Sequence, residues 1–285
     1  MVEKYAPKYS GLMPLGNLGD NGSGITMAVR DASANTKSMN RCSAWKFINP
    51  PSAFARAVLV NTRGERVTRE DKYGASIADE LLQHHDGRGY LVLDKNMYEE
   101  ALAEVKDPSS QLQPDQRMQA RLNLLRNRKV GATLSELERK CKIPSTNLQR
   151  TIRDYNRCVR DQGKDEKFGK SRTYLSVLQE QGPYYAIRMD LKRNMFWPTP
   201  AMSLGGLEVD GSSGMVMRGN ETIPGLYAAG RCACGIASNY YISGLSLADC
   251  VFSGRRAGRH AATTAAVGGD DVDRAHISSF PSSKL

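Results

Sequence analysis

No stretch of this chain approaches the ~20 consecutive apolar residues that a membrane-spanning helix needs, so no membrane span is expected. The first residues, MVEKYAPKYSG, have no apolar core of the kind a secretory signal carries. Histidine is scarce: there are four, two of them adjacent (His84, His85), and no spacing of His and Cys suits a metal ligand set. Cysteines are few and unpatterned. Cys232 and Cys234 form a C-x-C rather than the C-x-x-C of a redox or zinc site, and Cys42, Cys141, Cys158 and Cys250 are scattered. Without an export signal, all six are expected as reduced thiols. Neither a GxGxxG nor a Walker loop occurs anywhere, and there are no internal repeats.

What is present is a globular composition. Hydrophobic residues make up 40% and charged residues 25%, enough to bury a core in one large or two modest domains. The formal net charge is +10, with basic residues concentrated in 117–170, as in RLNLLRNRKVG and RTIRDYNRCVR. Acidic residues break that run and aromatics are not interleaved, so a solvated helical face is expected and nucleic-acid binding is not.

Along the chain, Gly22, Ser23 and Gly24 predict a tight loop into a helix from near Ile25, of a kind that can cradle a phosphate with backbone N–H groups. RAVLVNTRGERVTRE (56–70) reads as a hairpin. A helix is predicted over 75–86, a strand over 89–94, and helix over 97–127, broken by DPSSQLQPDQ. Two helices are predicted over 133–162. Thr133 and Glu136 form a capping box at the first, and Pro144 restarts the second. After residue 200, LGGLEVDGSSGMVM gives two short strands and IPGLYAAGRCACG a strand with a glycine-rich loop. The helix over 246–262 is expected to present small residues (Ala248, Ser253, Gly254, Ala257, Gly258, Ala261) on one face.

IPGLYAAGR followed by SGLSLADCVFSGRRAGRHAA resembles the C-terminal segment of the fumarate reductase and 3-oxosteroid dehydrogenase flavoprotein superfamily. PLGNLGDNGSGITMA, VNTRGERVTRED, the 133–170 helical segment, GPYYAIRMD and LGGLEVD are similar to further motifs of that superfamily, in the same order over about 14–262. The resemblance implies an α/β fold: a partial, glutathione-reductase-like FAD-binding domain with an inserted α+β substrate (cap) domain. It implies boundaries at 1–43 (FAD-binding), 44–200 (cap), 201–262 (C-terminal FAD-binding segment) and 263–285 (loose tail). The superfamily's GxGxxG, which binds the ADP half of FAD, has no counterpart in this chain. The isolated chain is therefore expected to bind FAD poorly.

Asn239-Tyr240-Tyr241-Ile242-Ser243-Gly244 is similar to the Tyr-x-Ser-Gly of the 3-oxo-5α-steroid 4-dehydrogenase branch, and Tyr73, after RVTRED, to that branch's other active-site tyrosine. The resemblance implies FAD as cofactor, an apolar steroid-like or terpenoid ketone as substrate, and an external electron acceptor. It implies Tyr241 as the base for the proton beside the carbonyl, Ser243 as its relay and Tyr73 as a hydrogen-bonding helper. A phenol ionises well above neutral pH, so such a base needs a neighbouring hydroxyl to stabilise it. Tyr240, next to Tyr241, points the other way if the segment is extended.

The resemblance implies Gly230, Arg231, Gly244, Ser246 and Leu247 as FAD contacts, with Arg231 either offsetting anionic charge near the flavin or serving as a solvated loop residue. The amides of Ser246 and Leu247, at a helix N-terminus, would face negative charge on the ring. Arg255, Arg256 and Arg259 read as complements to that helix's C-terminal dipole. Tyr184, Tyr185, Phe196 and Trp197 suit either a pocket wall or ordinary core. The alternative reading is a flavin-free relative that isomerises or binds ketones with the same tyrosines, and a third is an inactive structural remnant. The last three residues, Ser283-Lys284-Leu285, read as a peroxisomal address for an import receptor in a eukaryote; a bacterial protein would be cytoplasmic.

Overall fold

The structure, a computed structural model, describes residues 1–17, 19–238 and 241–267, without the side chains of 265–267. The SKL tripeptide, Asn239 and Tyr240 lie outside the described residues. In chain order the helices are α1 (Val2–Tyr5), α2 (Ser23–Ala32), α3 (Ser52–Arg56), α4 (Gly74–His84), α5 (Lys95–Lys106), α6 (Pro114–Leu125), α7 (Leu134–Cys141), α8 (Asn147–Gln162) and α9 (Leu245–Val267). The strands are β1 (Met13–Pro14), β2 (Thr36–Lys37), β3 (Cys42–Ala44), β4 (Val58–Val60), β5 (Tyr90–Leu93), β6 (Arg128–Gly131), β7 (Tyr184–Arg188), β8 (Pro200–Ser203), β9 (Gly206–Leu207), β10 (Met215–Arg218) and β11 (Glu221–Tyr227). The fold is mixed α/β. Its described residues divide into two compact units: 19–41 with 203–238 and 241–267, and 2–17 with 42–202. Residues 2–17, which the sequence groups with the FAD-binding part, belong to the second unit. The last helix continues to Val267, into the segment read as tail.

The 42–202 unit is built on an antiparallel sheet in the order β4-β5-β7-β6. β4 and β5 are apolar runs (VLV, YLVL) buried along their whole length, as strands covered on both faces require. Leu59, Ile77, Leu81, Leu91, Leu124 and Leu148 form the centre of its core. Asp94 caps α5, its carboxylate accepting the Met97 N–H at 2.9 Å. Thr133 Oγ1 accepts the Glu136 amide at 3.1 Å, the predicted cap of α7.

Two local expectations fail here. The return leg of the 56–70 hairpin is not a strand: Arg66 makes a single bridge to Val60. Glu70 then folds its carboxylate back to accept the Leu59 amide at 2.7 Å, taking the place of a backbone partner. Arg66, Glu70, Asp165 and Lys170 form a buried ion cluster, with Arg66–Asp165 at 2.7 Å and Lys170–Glu70 at 2.7 Å. Secondly, α8 begins at Asn147, not at Pro144. Thr146 sits at φ +70°, and the buried Glu138 of α7 accepts the Thr146 and Gln149 amides at 3.0 and 3.1 Å. A carboxylate from the preceding helix does the capping.

The other unit pairs β2 with β9 and β10 with β11, both antiparallel. Gly22, at φ +77°, precedes α2, whose first turn contains Ser23 and Gly24. Ile25, Ala28, Leu207, Val216 and Ala233 form a small core. The expected small-residue face of α9 is corrected: Ser253 and Ala257 are buried with Asp249, but Ala248, Gly254 and Gly258 face solvent. Arg255, Arg256 and Arg259 lie in mid-helix, so they do not complement a C-terminus; Arg256 donates to the Gly211 carbonyl at 3.1 Å.

Candidate active site

Most of the residues expected to serve chemistry lie at the start of α9. Ala233 runs parallel beside Leu207 of β9, and Cys234 N–H donates to the Leu207 carbonyl at 2.8 Å. The approach is too close for a side chain at 206: a Cβ there would come within 2.6 Å of the Ala233 carbonyl carbon. Gly230, at φ +57°, lets the 230–232 turn lie on α9. Its N–H donates to Ser253 Oγ at 2.8 Å, and a Cβ would meet Cys250 Sγ at 3.0 Å. Arg231, in that turn, is half-buried.

Residues 241–244 form the turn into the helix. Tyr241 is buried, with 9% exposure, while Ser243 and Gly244 are exposed. Gly244 has φ +90°, a conformation that excludes most side chains. Its carbonyl accepts the Leu247 N–H at 3.1 Å, so the Leu247 amide that the sequence reading assigns to FAD already has a partner, and its side chain is exposed. Ser246 is different. Its hydroxyl oxygen is buried and has no hydrogen-bond partner among the described residues. An orphaned hydroxyl at a helix N-terminus, beside an open glycine, fits a group that accepts hydrogen bonds and tolerates positive potential, as the carbonyl edge of a flavin does. Sequence reasoning misses Asp249, which is buried in α9 with Oδ1 3.5 Å from the Ile236 amide. Its one sequence signal is a lone acid in the small-residue run SLADC.

Tyr73 belongs to the other unit. It caps α4, its carbonyl accepting the Ser76 and Ile77 amides at 2.9 and 3.2 Å. Trp45 Nε1–H donates to its phenol oxygen at 3.1 Å, and the Phe47 ring meets it edge-on at 5.6 Å. The segment is fixed over the helix start by Lys46 N–H donating to the Gly74 carbonyl at 3.0 Å, and Gly74 leaves the room that Phe47 fills. Lys46 itself is buried. Its ammonium donates to the Trp197 carbonyl at 2.6 Å, and burial pushes its pKa well below the ordinary lysine value. Trp45 and Lys46 carry no recognisable spacing and are invisible in the sequence. Among the aromatic residues that suit a pocket wall or core, Tyr184 and Trp197 are core, Tyr185 stacks on Tyr98 with centroids 3.8 Å apart, and Phe196 is half-buried at the rim of a small cavity.

The sequence matches the FAD binding domain family over residues 11–246. It is 31% identical over 216 residues to 3-oxo-5-alpha-steroid 4-dehydrogenase of Comamonas testosteroni, covering 75% of this chain and 40% of that protein. It is 31% identical over 215 residues to NADH:acrylate oxidoreductase of Vibrio harveyi, covering 75% and 19%. The fold is similar to the 3-ketosteroid-Δ4-(5α)-dehydrogenase of Rhodococcus jostii, solved with 4-androstene-3,17-dione, with TM-score 0.73, 31% identity, and coverage of 92% of this chain and 49% of that one. The chain thus spans less than half the length of each of these relatives.

Proposed function

The chain belongs to the FAD binding domain family of flavoproteins, and on that premise we propose that it takes part in FAD-dependent dehydrogenation of an apolar, steroid-like or terpenoid ketone at the CH–CH bond next to its carbonyl. The observation that carries this reading is the turn Tyr241-Ile242-Ser243-Gly244 opening α9, with the Ser246 hydroxyl, which has no hydrogen-bond partner among the described residues, one turn on.

Bound FAD would supply a two-electron acceptor for the hydride lost from the carbon β to the carbonyl. The α9 N-terminus and Ser246 would hold its electron-rich edge, and Gly230 lets the neighbouring turn lie against the same helix. Tyr241 takes the proton from the α carbon, and the C–H electron pair becomes the new C=C bond as the hydride departs from the β carbon. Ser243, two residues on and exposed, passes the proton to solvent. Tyr73 supplies a phenol whose oxygen is fixed by Trp45. An external acceptor would reoxidise the cofactor.

Tyr241→Phe in FAD-loaded protein tests the assignment. Turnover of a 3-oxosteroid should fall by about 10²–10⁴-fold, the contribution of a positioned acid or base, with flavin content unchanged. Retention of more than a tenth of the activity would remove Tyr241 as the base.

A further inference from the structure

The basic motif RLNLLRNRKVG is not used by the proposed chemistry, and the fold gives it a destination. Arg126, at the end of α6, and Arg128 and Lys129, at the start of β6, converge with Arg188 and Arg193, some sixty residues later in sequence, around a cavity of about 260 Å³. No acidic residue among the described residues lines it. Asp190, 3.0 Å from Arg188, is the one carboxylate paired with any of these five cations among the described residues. The guanidinium of Arg128 is spent on the stacked Tyr98 and Tyr185 rings, and the Lys129 ammonium donates to the Lys140 carbonyl. Arg126 and Arg193 are exposed and have no ion-pair partner among the described residues.

Asn194 supplies an independent sign of a ligand. It lines the same cavity, is 96% buried, and donates its Nδ2 to the Arg188 carbonyl at 2.9 Å. That bond fixes which end of the amide is the acceptor, and this acceptor, Oδ1, has no partner among the described residues. A buried acceptor left unmatched is costly. The next residue back, Arg193, is held at φ +55°, in the left-handed region that an arginine rarely adopts. Strain of this kind collects at ligand sites.

Unmatched cations and a buried acceptor together specify an anion that also carries a hydroxyl hydrogen. We propose that this cavity binds hydrogen phosphate, either free or as the phosphate of a small hydroxylated ester, with Arg126 and Arg193 on the anionic oxygens and Asn194 Oδ1 accepting the hydroxyl. Guanidinium forks match phosphate oxygens in pairs. The cavity is smaller than the ~300–1,000 Å³ of sites for drug-sized ligands, which suits a single phosphate.

Calorimetric titration of the full chain with inorganic phosphate, glycerol 3-phosphate and sulfate tests this. Sulfate matches hydrogen phosphate in charge but has no proton to give Asn194, so it should bind at least about tenfold more weakly. Arg126→Gln and Arg193→Gln, at exposed positions where folding is insensitive to the change, should each weaken phosphate binding by about tenfold, while Arg153→Gln on α8 should not. Tighter binding of inorganic phosphate identifies the free ion as ligand; tighter binding of glycerol 3-phosphate identifies an ester. Equal affinity for sulfate, no effect of the two variants, or no binding of either phosphate would overturn the proposal. So would an oligonucleotide binding more tightly than both phosphates and losing affinity in the same variants, which would make the patch a nucleic-acid contact.

Discussion

The indole N–H of Trp45 donates to the phenol oxygen of Tyr73 at 3.1 Å, joining a residue just past β3 to the cap of α4. Trp45→Phe keeps the ring and removes the donor. It should lower turnover by up to about tenfold, the kinetic equivalent of one hydrogen bond, and should cost nothing further in a Tyr73→Phe background. A readout independent of activity accompanies it. The chain has two tryptophans, so two indole N–H resonances are expected, and Tyr73→Phe should move that of Trp45 and leave that of Trp197 in place. Equal losses in both backgrounds would mean that Trp45 does not act through Tyr73.

Acid stability follows from Asp165. Burial works to raise its carboxyl pKa, but the hydrogen bond and charge of Arg66 outweigh this and hold it below the ordinary carboxylate value. The folded pKa is therefore lower than the unfolded one. The stabilisation is complete above about pH 4 and is lost as the pH falls through the folded value. In denaturant titrations the difference between wild type and Asp165→Asn should be constant from about pH 7 to pH 5 and shrink below about pH 4. A difference independent of pH would exclude the ion pair as its source.

Thiol chemistry should be sharply uneven. Cys232 and Cys250 are exposed, whereas Cys141 is buried and burial pushes its thiol pKa up to about 11. A thiolate reagent at mildly alkaline pH should modify Cys232 and Cys250 first and reach Cys141 only on unfolding. Rapid loss of the Cys141 thiol in folded protein would contradict its placement.

Gly206→Ala should destabilise by about 1–3 kcal/mol, the usual cost of overpacking, because the added methyl would meet backbone atoms of Cys232 and Ala233 that cannot rotate away. Gly211→Ala, where nothing lies within 4 Å of the added carbon, serves as the comparison in the same denaturant experiment.

Much of this organisation is legible in the sequence because it follows from local rules. Apolar runs mark β4 and β5, Thr133 announces α7, and the glycines around 22 and 244 mark helix entries. What escapes the sequence comes from residues far apart that compete for the same backbone groups. Glu70 takes the Leu59 amide that a returning strand would have used, and Glu138 caps a helix that proline was expected to start. Tyr241 and Ser243, at the start of α9, and Tyr73, in the other unit, are singled out in the sequence by motifs. Trp45 is not, since its role depends on the Lys46–Gly74 backbone contact and has no periodicity. The orphaned oxygens of Ser246 and Asn194 are likewise facts of three-dimensional packing.

The Arg66–Glu70–Asp165–Lys170 cluster joins places about a hundred residues apart, with Lys170 also donating to the Ala57 carbonyl at 2.7 Å. Covalent continuity between them is thus duplicated by a buried ionic clasp. A protease that nicks the exposed turn at 108–111 would sever the chain without opening the unit, because the sheet and the clasp both span the cut. The two pieces should stay together until denatured, held by the sheet and the clasp in place of the severed backbone.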